Sequence, residues 1–280
     1  MIDPALEREY NLRLRHPERE AVYARFAAAS AALRARWPGF RTLRGPSARR
    51  GTDFFPSSTG GTPAPLFVFI HGGYWRALDR GTFSFLAEPW LARGVHVALP
   101  GYELAPQVSV RTIARQVQEA MVHLLDAADA LAIDRRRIVV SGHSAGAQLG
   151  AFVLGELPSD SARGFVGISG VYDLEPLLAT SVNLDVRLDA AEARALSPAR
   201  RPVDGRLAQL CAVGAAETDG FRAQTLDHVA RLQAHGARAE ALEVPGRTHF
   251  DVLDELADPK AELFRRACSL LEPTFKGDTA

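Results

Sequence analysis

Short apolar runs separated by amphipathic segments occupy the central part of the chain. The runs are LFVFI (66–70), VHVAL (95–99), RIVVS (137–141), GFVGIS (164–169) and LAQLCAV (207–213). Because each run is short and largely apolar, each predicts a strand buried on both faces of a parallel sheet. Residues 111–125 instead carry apolar residues at helical spacing, namely Ile113, Val117, Met121, Leu124 and Leu125. The alternation predicts an α/β fold, with a mostly parallel central sheet, helices on both faces and right-handed crossovers.

Three segments lie outside this alternation. Residues 4–36 are rich in Ala, Arg, Glu and Leu, which predicts two helices broken near His16-Pro17, within an N-terminal helical extension of residues 1–50. Residues 44–65 are crowded with Gly, Pro and Ser and predict turns around a short strand pair. Residues 172–205 predict a small, partly helical cap over the carboxyl edge of the sheet, where open α/β sheets bind ligands. The chain, 1–280, is thus expected to form a single domain.

Charge and cysteine content narrow the classes of function. The chain has 33 basic residues (Lys and Arg) and 33 acidic residues (Asp and Glu). It therefore has no net positive charge that would attract a nucleic acid or an anionic membrane, and a small molecule or a protein is the better-fitting partner. The N-terminus is charged almost throughout, and no stretch approaches about 20 apolar residues, which predicts a cytoplasmic protein without a membrane segment. Cys211 and Cys268 alone form neither a disulfide framework nor a Cys-type zinc site. Neither H-E-x-x-H nor G-x-x-x-x-G-K-[ST] occurs, so no metal or organic cofactor is expected.

A candidate nucleophile lies where a predicted strand meets a predicted helix. Gly142-His143-Ser144-Ala145-Gly146 directly follows RIVVS and is a G-x-S-x-G sequence. Small flanking residues permit the tight strand-to-helix turn that holds a serine hydroxyl clear of the backbone. The N-terminus of the following helix also favours developing negative charge. The context therefore predicts that Ser144 is a nucleophile rather than a capping serine in a glycine-rich turn.

A nucleophilic serine needs a base that is oriented by an acid, and on this kind of sheet the chain order is Ser, acid, His. His249 follows the predicted last strand ARAEALEV (237–244) and a Pro-Gly loop, so it is the expected base. His228 is expected on the surface, and the other six histidines in solvated, capping or core positions. The loop GAAETDGF (214–221) follows LAQLCAV and offers Glu217 and Asp219 as the acid. Spacing alone leaves these two carboxylates as alternatives.

The sequence HGGYW (71–75) follows the first apolar run and predicts an oxyanion hole. Glycines leave the backbone N–H groups of Gly72 and Gly73 unobstructed, and the N–H of Ala145, just after the nucleophile, completes the set. Tyr74 and Trp75 would then form an aromatic wall beside the reacting carbonyl. The alternative for both aromatics is an ordinary place in the core.

Taken together, these motifs resemble the α/β-hydrolase superfamily, in particular its kynurenine formamidase (arylformamidase) branch near the hormone-sensitive-lipase-like esterases. The resemblance covers nearly the whole chain. It is carried by EREYN (7–11), HGGYW (71–75), YELAP (102–106), GHSAGAQL (142–149), GISGVYDLEPL (167–177), SP (197–198), VGAAETDGFRAQT (213–225) and THF (248–250). In that family the acid stands three residues after the glycine that ends a strand, followed by Phe four and Gln seven residues further on. Gly214, Glu217, Phe221 and Gln224 keep these spacings, so the resemblance favours Glu217, although well-studied members carry Asp there.

The resemblance implies a serine hydrolase that cleaves an aryl formamide, such as N-formylkynurenine, through an acyl-enzyme. Ser144, Glu217 and His249 would form the triad, and the expected partner is a small, aromatic acyl substrate. One alternative is a carboxylesterase acting on small aryl or short-acyl esters with the same residues. Another is a ligand-binding module without catalytic activity on a hydrolase scaffold, because fold does not fix function.

Overall fold

An eight-stranded sheet forms the centre of the computed structural model, which describes residues 1–58 and 62–272. The strands are β1 (Arg41–Leu43), β2 (Thr52–Phe55), β3 (Ala64–Ile70), β4 (His96–Pro100), β5 (Ile133–His143), β6 (Gly164–Ile168), β7 (Ala208–Gly214) and β8 (Ala239–Val244). They lie in the order β1-β2-β4-β3-β5-β6-β7-β8. Strand β2 is antiparallel to both neighbours, whereas every other adjacent pair is parallel. The five apolar runs fall on β3 to β7, which confirms the predicted α/β fold class.

Helices cover both faces of the sheet. The α-helices are α1 (Pro4–Tyr10), α2 (Arg19–Arg36), α3 (Ala87–Leu91), α4 (Val110–Asp126), α5 (Ala145–Leu154), α6 (Val182–Val186), α7 (Ala190–Leu196), α8 (Asp219–Ala234), α9 (Asp254–Ala257) and α10 (Glu262–Ser269). Alternate strand residues feed two separate cores, because successive side chains on a strand point to opposite faces. Val68 belongs to the core beneath α4, α5 and α8, whereas Phe67 stacks on Trp90 of α3 at 3.9 Å in the other core.

The N-terminal segment forms two helices, with a gap that contains His16-Pro17. Asp3 is the N-cap of helix α1, and its side chain accepts hydrogen bonds from the N–H groups of Ala5 and Leu6. The gap also contains one 3-10 turn, Leu12–Leu14. Residues 59–61, within the stretch expected to form turns, lie outside the described residues. None of the helices in the described ranges has the length and apolarity needed to span a bilayer.

The segment 172–205 is built of short helical pieces. Helices α6 and α7 are flanked by 3-10 turns at Glu175–Ala179 and Pro198–Arg200. Both turns carry proline in their first positions, where a missing N–H costs no hydrogen bond. The segment is anchored to α1, because the N–H of Asp3 donates to the carbonyl of Ala179 at 2.8 Å.

The expectation that His228 lies on the surface is wrong. Its ring is 4% exposed, stacks on Tyr172 with centroids 3.9 Å apart, and has no hydrogen-bond partner for either nitrogen within the described part of the chain. Burial, assisted by the charge of Arg231, lowers the pKa of His228 to about 3. The helix α8 turns this residue towards the sheet, so His228 is a neutral core residue.

We therefore expect His228→Phe to reduce the acid sensitivity of the fold. In the unfolded chain the histidine pKa is about 6.5, so below that pH the unfolded state takes up a proton that the folded state does not, and the free energy of unfolding falls as the pH drops towards 3. At about pH 5 this loss amounts to about 2 kcal/mol. Urea unfolding of the wild type and of His228→Phe, at about pH 7.5 and pH 5, measures this loss of unfolding free energy. Equal losses in the two proteins would contradict the assignment, since the other buried histidines contribute to both.

Candidate active site

The G-x-S-x-G sequence forms a sharp turn between β5 and α5. Ser144 has φ +56° and ψ −120°, a backbone conformation that residues other than glycine rarely adopt. A Cβ atom on Gly142 would lie 2.2 Å from the carbonyl oxygen of Gly146, and one on Gly146 would lie 2.1 Å from that of Ile70. Both positions therefore require glycine. The N–H of Ser144 donates to the carbonyl of Ile168 on β6 at 2.8 Å, which ties the turn to the sheet.

His249 and Glu217 form a buried pair. Nδ1–H of His249 donates to Oε2 of Glu217 at 2.7 Å, and their side chains are 5% and 0% exposed. The other carboxylate oxygen accepts from Oγ of Ser169 at 2.5 Å and from the N–H of Gly214 at 2.8 Å. A carboxylate held by three donors cannot rotate away from the imidazole. The contact places the ring proton on Nδ1 and leaves Nε2 free to accept a proton.

The structure separates the two candidate acids. Asp219 is the first residue of α8, its side chain is 95% exposed, and its ion-pair partner is the neighbouring Arg222 at 3.5 Å. Glu217 instead lies in the turn after β7, where its N–H donates to the carbonyl of Gly214 at 3.0 Å. This turn points the Glu217 side chain inward, so Glu217 and not Asp219 reaches His249.

Ser144 and His249 line one cavity of about 320 Å³. Within the described residues no hydrogen bond joins Oγ of Ser144 to His249. Such bonds are often long or poorly aligned before substrate binds and tighten in the complex. Ser144 and His249 thus share one cavity, and the buried Glu217 carboxylate contacts His249 from outside it.

His143, which sequence reasoning placed among the bystanders, supports the base. Its Nε2–H donates to the backbone carbonyl of His249 at 2.8 Å, and the two rings lie 4.7 Å apart. Burial, followed by the charge of His249, holds the pKa of His143 well below its usual value, so the ring stays neutral. The position next to Ser144 in the turn was the only sequence signal for this contact.

The loop that contains Gly72 and Gly73 packs against the serine turn. A Cβ atom on Gly72 would lie 2.7 Å from the carbonyl of His143 and 3.1 Å from Cβ of Ser144, so the two turns are in close contact. Gly73 has φ +106°, which favours glycine, and its Cβ would collide with the carbonyl of Ala77 at 2.3 Å. In the part of the chain that the structure describes, the N–H groups of Gly72, Gly73 and Ala145 have no acceptor. Of these three residues, Gly73 lines the cavity.

A buried stack holds this loop in place. The ring of His71 lies 4.2 Å from that of Tyr102, at an interplanar angle of 12°, and the Tyr102 hydroxyl donates to the carbonyl of His71 at 2.7 Å. Nδ1–H of His71 donates to the carbonyl of Gly72 at 2.8 Å. Burial lowers the pKa of His71 to about 4, so this support is uncharged.

The structure corrects the expectation for Trp75. Its side chain is 0% exposed and its indole N–H donates to Oε1 of Gln148 at 3.0 Å, so it lies in the core and not in the cavity wall. Tyr74 does line the cavity, and its hydroxyl donates to the carbonyl of Tyr10 at 2.7 Å. The two residues have φ of 49° and 56°, and this left-handed backbone directs the adjacent side chains to different places.

The N-terminal segment supplies much of the cavity wall, which sequence reasoning missed. Asn11, Leu12, Arg13, Arg19, Glu20 and Tyr23 line the cavity together with Phe250 and Arg76. Tyr23 and Phe250 meet edge to face with centroids 5.7 Å apart and, with Tyr74, form its aromatic surface.

Polar contacts fasten α1 to two distant segments of the chain. The carboxylate of Glu7 accepts from the N–H and the hydroxyl of Ser181, at 2.7 and 2.6 Å. The carboxylate of Glu9 accepts from the N–H of Gly220 at 2.7 Å, and its carbonyl accepts from the Thr218 hydroxyl at 2.9 Å. Helix α1 therefore bridges the 172–205 segment and the start of α8.

Comparison with known proteins places this architecture in a family. Residues 67–252 match the family described as alpha/beta hydrolase fold. Kynurenine formamidase from Drosophila melanogaster is 30% identical over 237 residues, covering 80% of this chain and 78% of that protein. Kynurenine formamidase from Salmo salar is 29% identical over 217 residues, covering 74% and 72%. The crystal structure of a putative thioesterase from Silicibacter sp. TM1040 superimposes with a TM-score of 0.79 at 34% identity, covering 88% of this chain and 92% of that one.

The chain belongs to the α/β-hydrolase fold family and is a hydrolase. Within that family it is kynurenine formamidase-like in sequence. The described ranges contain no group of three or more His, Cys, Asp and Glu side chains that could hold a metal ion.

Proposed function

We propose that this protein is a serine hydrolase that cleaves an aryl formamide, with N-formylkynurenine as the model substrate. The observation that carries the proposal is the buried Glu217–His249 pair facing Ser144 across one cavity, with backbone donors at the same place. The names of the related kynurenine formamidases support the formamide class.

The first half of the reaction forms an acyl-enzyme. Oγ of Ser144 attacks the formyl carbon while Nε2 of His249 takes its proton. Glu217 holds the imidazole through Nδ1 and stabilises the imidazolium that forms. The N–H groups of Gly72, Gly73 and Ala145 donate to the developing oxyanion, each contributing about 3 kcal/mol in the transition state.

The second half releases both products. The imidazolium of His249 gives its proton to the leaving aryl amine as the carbon–nitrogen bond breaks. Water, deprotonated by the same imidazole, then attacks the formyl-enzyme and regenerates Ser144 with release of formate. Apart from this water, the proposed steps use side chains and backbone groups of this chain.

The cavity wall fits a flat aromatic leaving group. Tyr23, Tyr74 and Phe250 offer ring surfaces there, where an aryl ring gains about 0.5 to 1.5 kcal/mol beyond area burial. The glycine-rich loop lies directly against the serine turn, which suits a small acyl group such as formyl.

An esterase acting on small aryl or short-acyl esters is the second candidate. The same triad serves both reactions, and the related Silicibacter structure bears the name of a putative thioesterase. An ester carbonyl is also more electrophilic than that of an amide. Ester turnover alone therefore does not establish the formamide reaction.

The formamidase proposal predicts that N-formylkynurenine is hydrolysed with a kcat/KM at least comparable to that of phenyl acetate. Both constants are measured at neutral pH with the Ser144→Ala variant as the blank. A protein that hydrolyses the acetate rapidly and leaves the formamide untouched is a carboxylesterase. A fluorophosphonate probe covers the remaining alternative, because a binding module without catalytic activity would not be labelled at Ser144.

A further inference from the structure

The wall of the cavity is locally basic although the chain is neutral overall. Three arginines, Arg13, Arg19 and Arg76, line the cavity that contains Ser144, against one acidic residue, Glu20. The whole chain balances 33 basic with 33 acidic residues, so this excess is not a reflection of composition. The carbonyl group that reacts is uncharged. A positively charged wall therefore points to an anionic group elsewhere on the substrate.

Arg13 is the cation of this wall that is free to bind. It is exposed in the 3-10 turn Leu12–Leu14, and within the described ranges its guanidinium has neither a hydrogen bond nor an ion pair. Arg19 fixes this turn, since its Nη1 donates to the carbonyls of Arg13 and His16 at 2.8 and 3.1 Å. Its Nη2 pairs with Glu20 at 2.9 Å, so Arg19 is already engaged.

Arg76 supplies a second, more buried cation. Its side chain is 10% exposed, and Nη1 pairs with Asp185 at 2.5 Å. Its Nε is buried and has no acceptor within the part of the chain that the structure describes. The carboxylate of the nearby Glu7 accepts hydrogen bonds from Ser181 and is not an acceptor for Nε of Arg76. The guanidinium of Arg76 therefore has one group, Nη1, engaged with Asp185 and another, Nε, without an acceptor among the described residues.

We propose that this wall is an anion subsite that selects substrates carrying a carboxylate on the leaving group, with Arg13 as the specificity-determining residue and Arg76 as a second cation. Arg19 pairs with Glu20 and Arg76 pairs with Asp185, which leaves Arg13 as the arginine of this wall without an ion pair in the described ranges. The planar guanidinium fork matches a carboxylate in shape as well as in charge. This inference rests on the proposed serine hydrolase function, whose model substrate has a leaving group with a carboxylate, and it adds the residues that bind that carboxylate.

The test compares two esters with the same aryl group, 4-acetoxybenzoate and its methyl ester, of which only the first is an anion. We expect Arg13→Glu to lower the ratio of kcat/KM for the acid to kcat/KM for the methyl ester by about tenfold, through a higher KM for the acid. Arg15→Glu is the matched control. It lies two residues away, is also exposed and changes the net charge identically, but it does not line the cavity, so its ratio should stay within about twofold of the wild type.

Comparing ratios between variants cancels the different reactivities of the two esters. Equal falls in the Arg13 and Arg15 variants would show a general charge effect and would overturn the subsite. An unchanged ratio of kcat/KM for acid and methyl ester in Arg13→Glu would also overturn the anion subsite. If the methyl ester were still hydrolysed in that case, the proposed serine hydrolase function would stand. Failure of the wild-type protein to hydrolyse either ester would contradict the proposed function itself, and the inference with it.

Discussion

Replacing Ser144 with alanine is expected to lower kcat by a factor on the order of 10⁴ to 10⁶ while leaving a folded protein. The hydroxyl is the nucleophile that forms the acyl-enzyme in the proposed mechanism, and triad residues act as a unit. The fold should not suffer, because the Ser144 side chain makes no capping hydrogen bond to α5. Steady-state kinetics with phenyl acetate and N-formylkynurenine measure the loss, and thermal unfolding verifies that the variant is folded.

A variant that kept a tenth of the wild-type turnover would exclude Ser144 as the nucleophile. The matched control is the Ser161→Ala variant, which removes another buried serine hydroxyl away from the cavity and should retain wild-type rates. Stoichiometric labelling of the wild type by a fluorophosphonate, lost in Ser144→Ala and kept in Ser161→Ala, would tie the reactive hydroxyl to one residue.

The second large effect is expected for Glu217→Gln, which should lower kcat by about 10³ to 10⁴. A glutamine amide no longer stabilises the imidazolium of His249, and it can turn its NH₂ towards Nδ1, which favours the wrong tautomer of the ring. The variant also leaves donors from Ser169 and Gly214 facing a neutral group. The loss should appear in kcat for ester and formamide alike, because it concerns the base and not the substrate.

Asp219→Asn is the matched control for that experiment. It makes the same change of carboxylate to amide two residues away, on a side chain that is 95% exposed and, among the described residues, pairs with Arg222 alone, at 3.5 Å. Exposed pairs of this kind contribute little, so its kcat should remain within about twofold of the wild type. Equal losses in the two variants, or a larger loss in Asp219→Asn, would mean that Glu217 is not the triad acid.

The sheet and the serine turn could be predicted because both depend on local sequence. Continuous apolar runs specify strands that are buried on both faces, and those runs lie on β3 to β7. Gly142 and Gly146 are required by contacts of 2.2 and 2.1 Å that any Cβ would make, so the motif carries its own geometry. The position of His249 after the last strand followed from the chain order of the fold.

The surroundings of these groups could not be predicted in the same way. Trp75 and Tyr74 are adjacent in sequence, yet one is fully buried and the other lines the cavity, because the left-handed backbone at both residues sends their side chains apart. His228 looked like a surface residue on a polar helix, and only the packing of α8 against Tyr172 shows that it is buried.

By itself, the sequence determined the fold class, the serine turn, the glycine loop and the late histidine, since each depends on backbone conformations that short stretches of chain specify. Spacing alone left two carboxylates as candidate acids, of which the family resemblance favoured Glu217, and the N-terminus was expected to be an extension. Tertiary structure brought Glu217 to 2.7 Å from His249 and left Asp219 in solvent. It also placed Arg13 and Tyr23 beside Ser144, more than 100 positions away in the chain. Such contacts depend on how separate elements pack together, and no local pattern of residues encodes them.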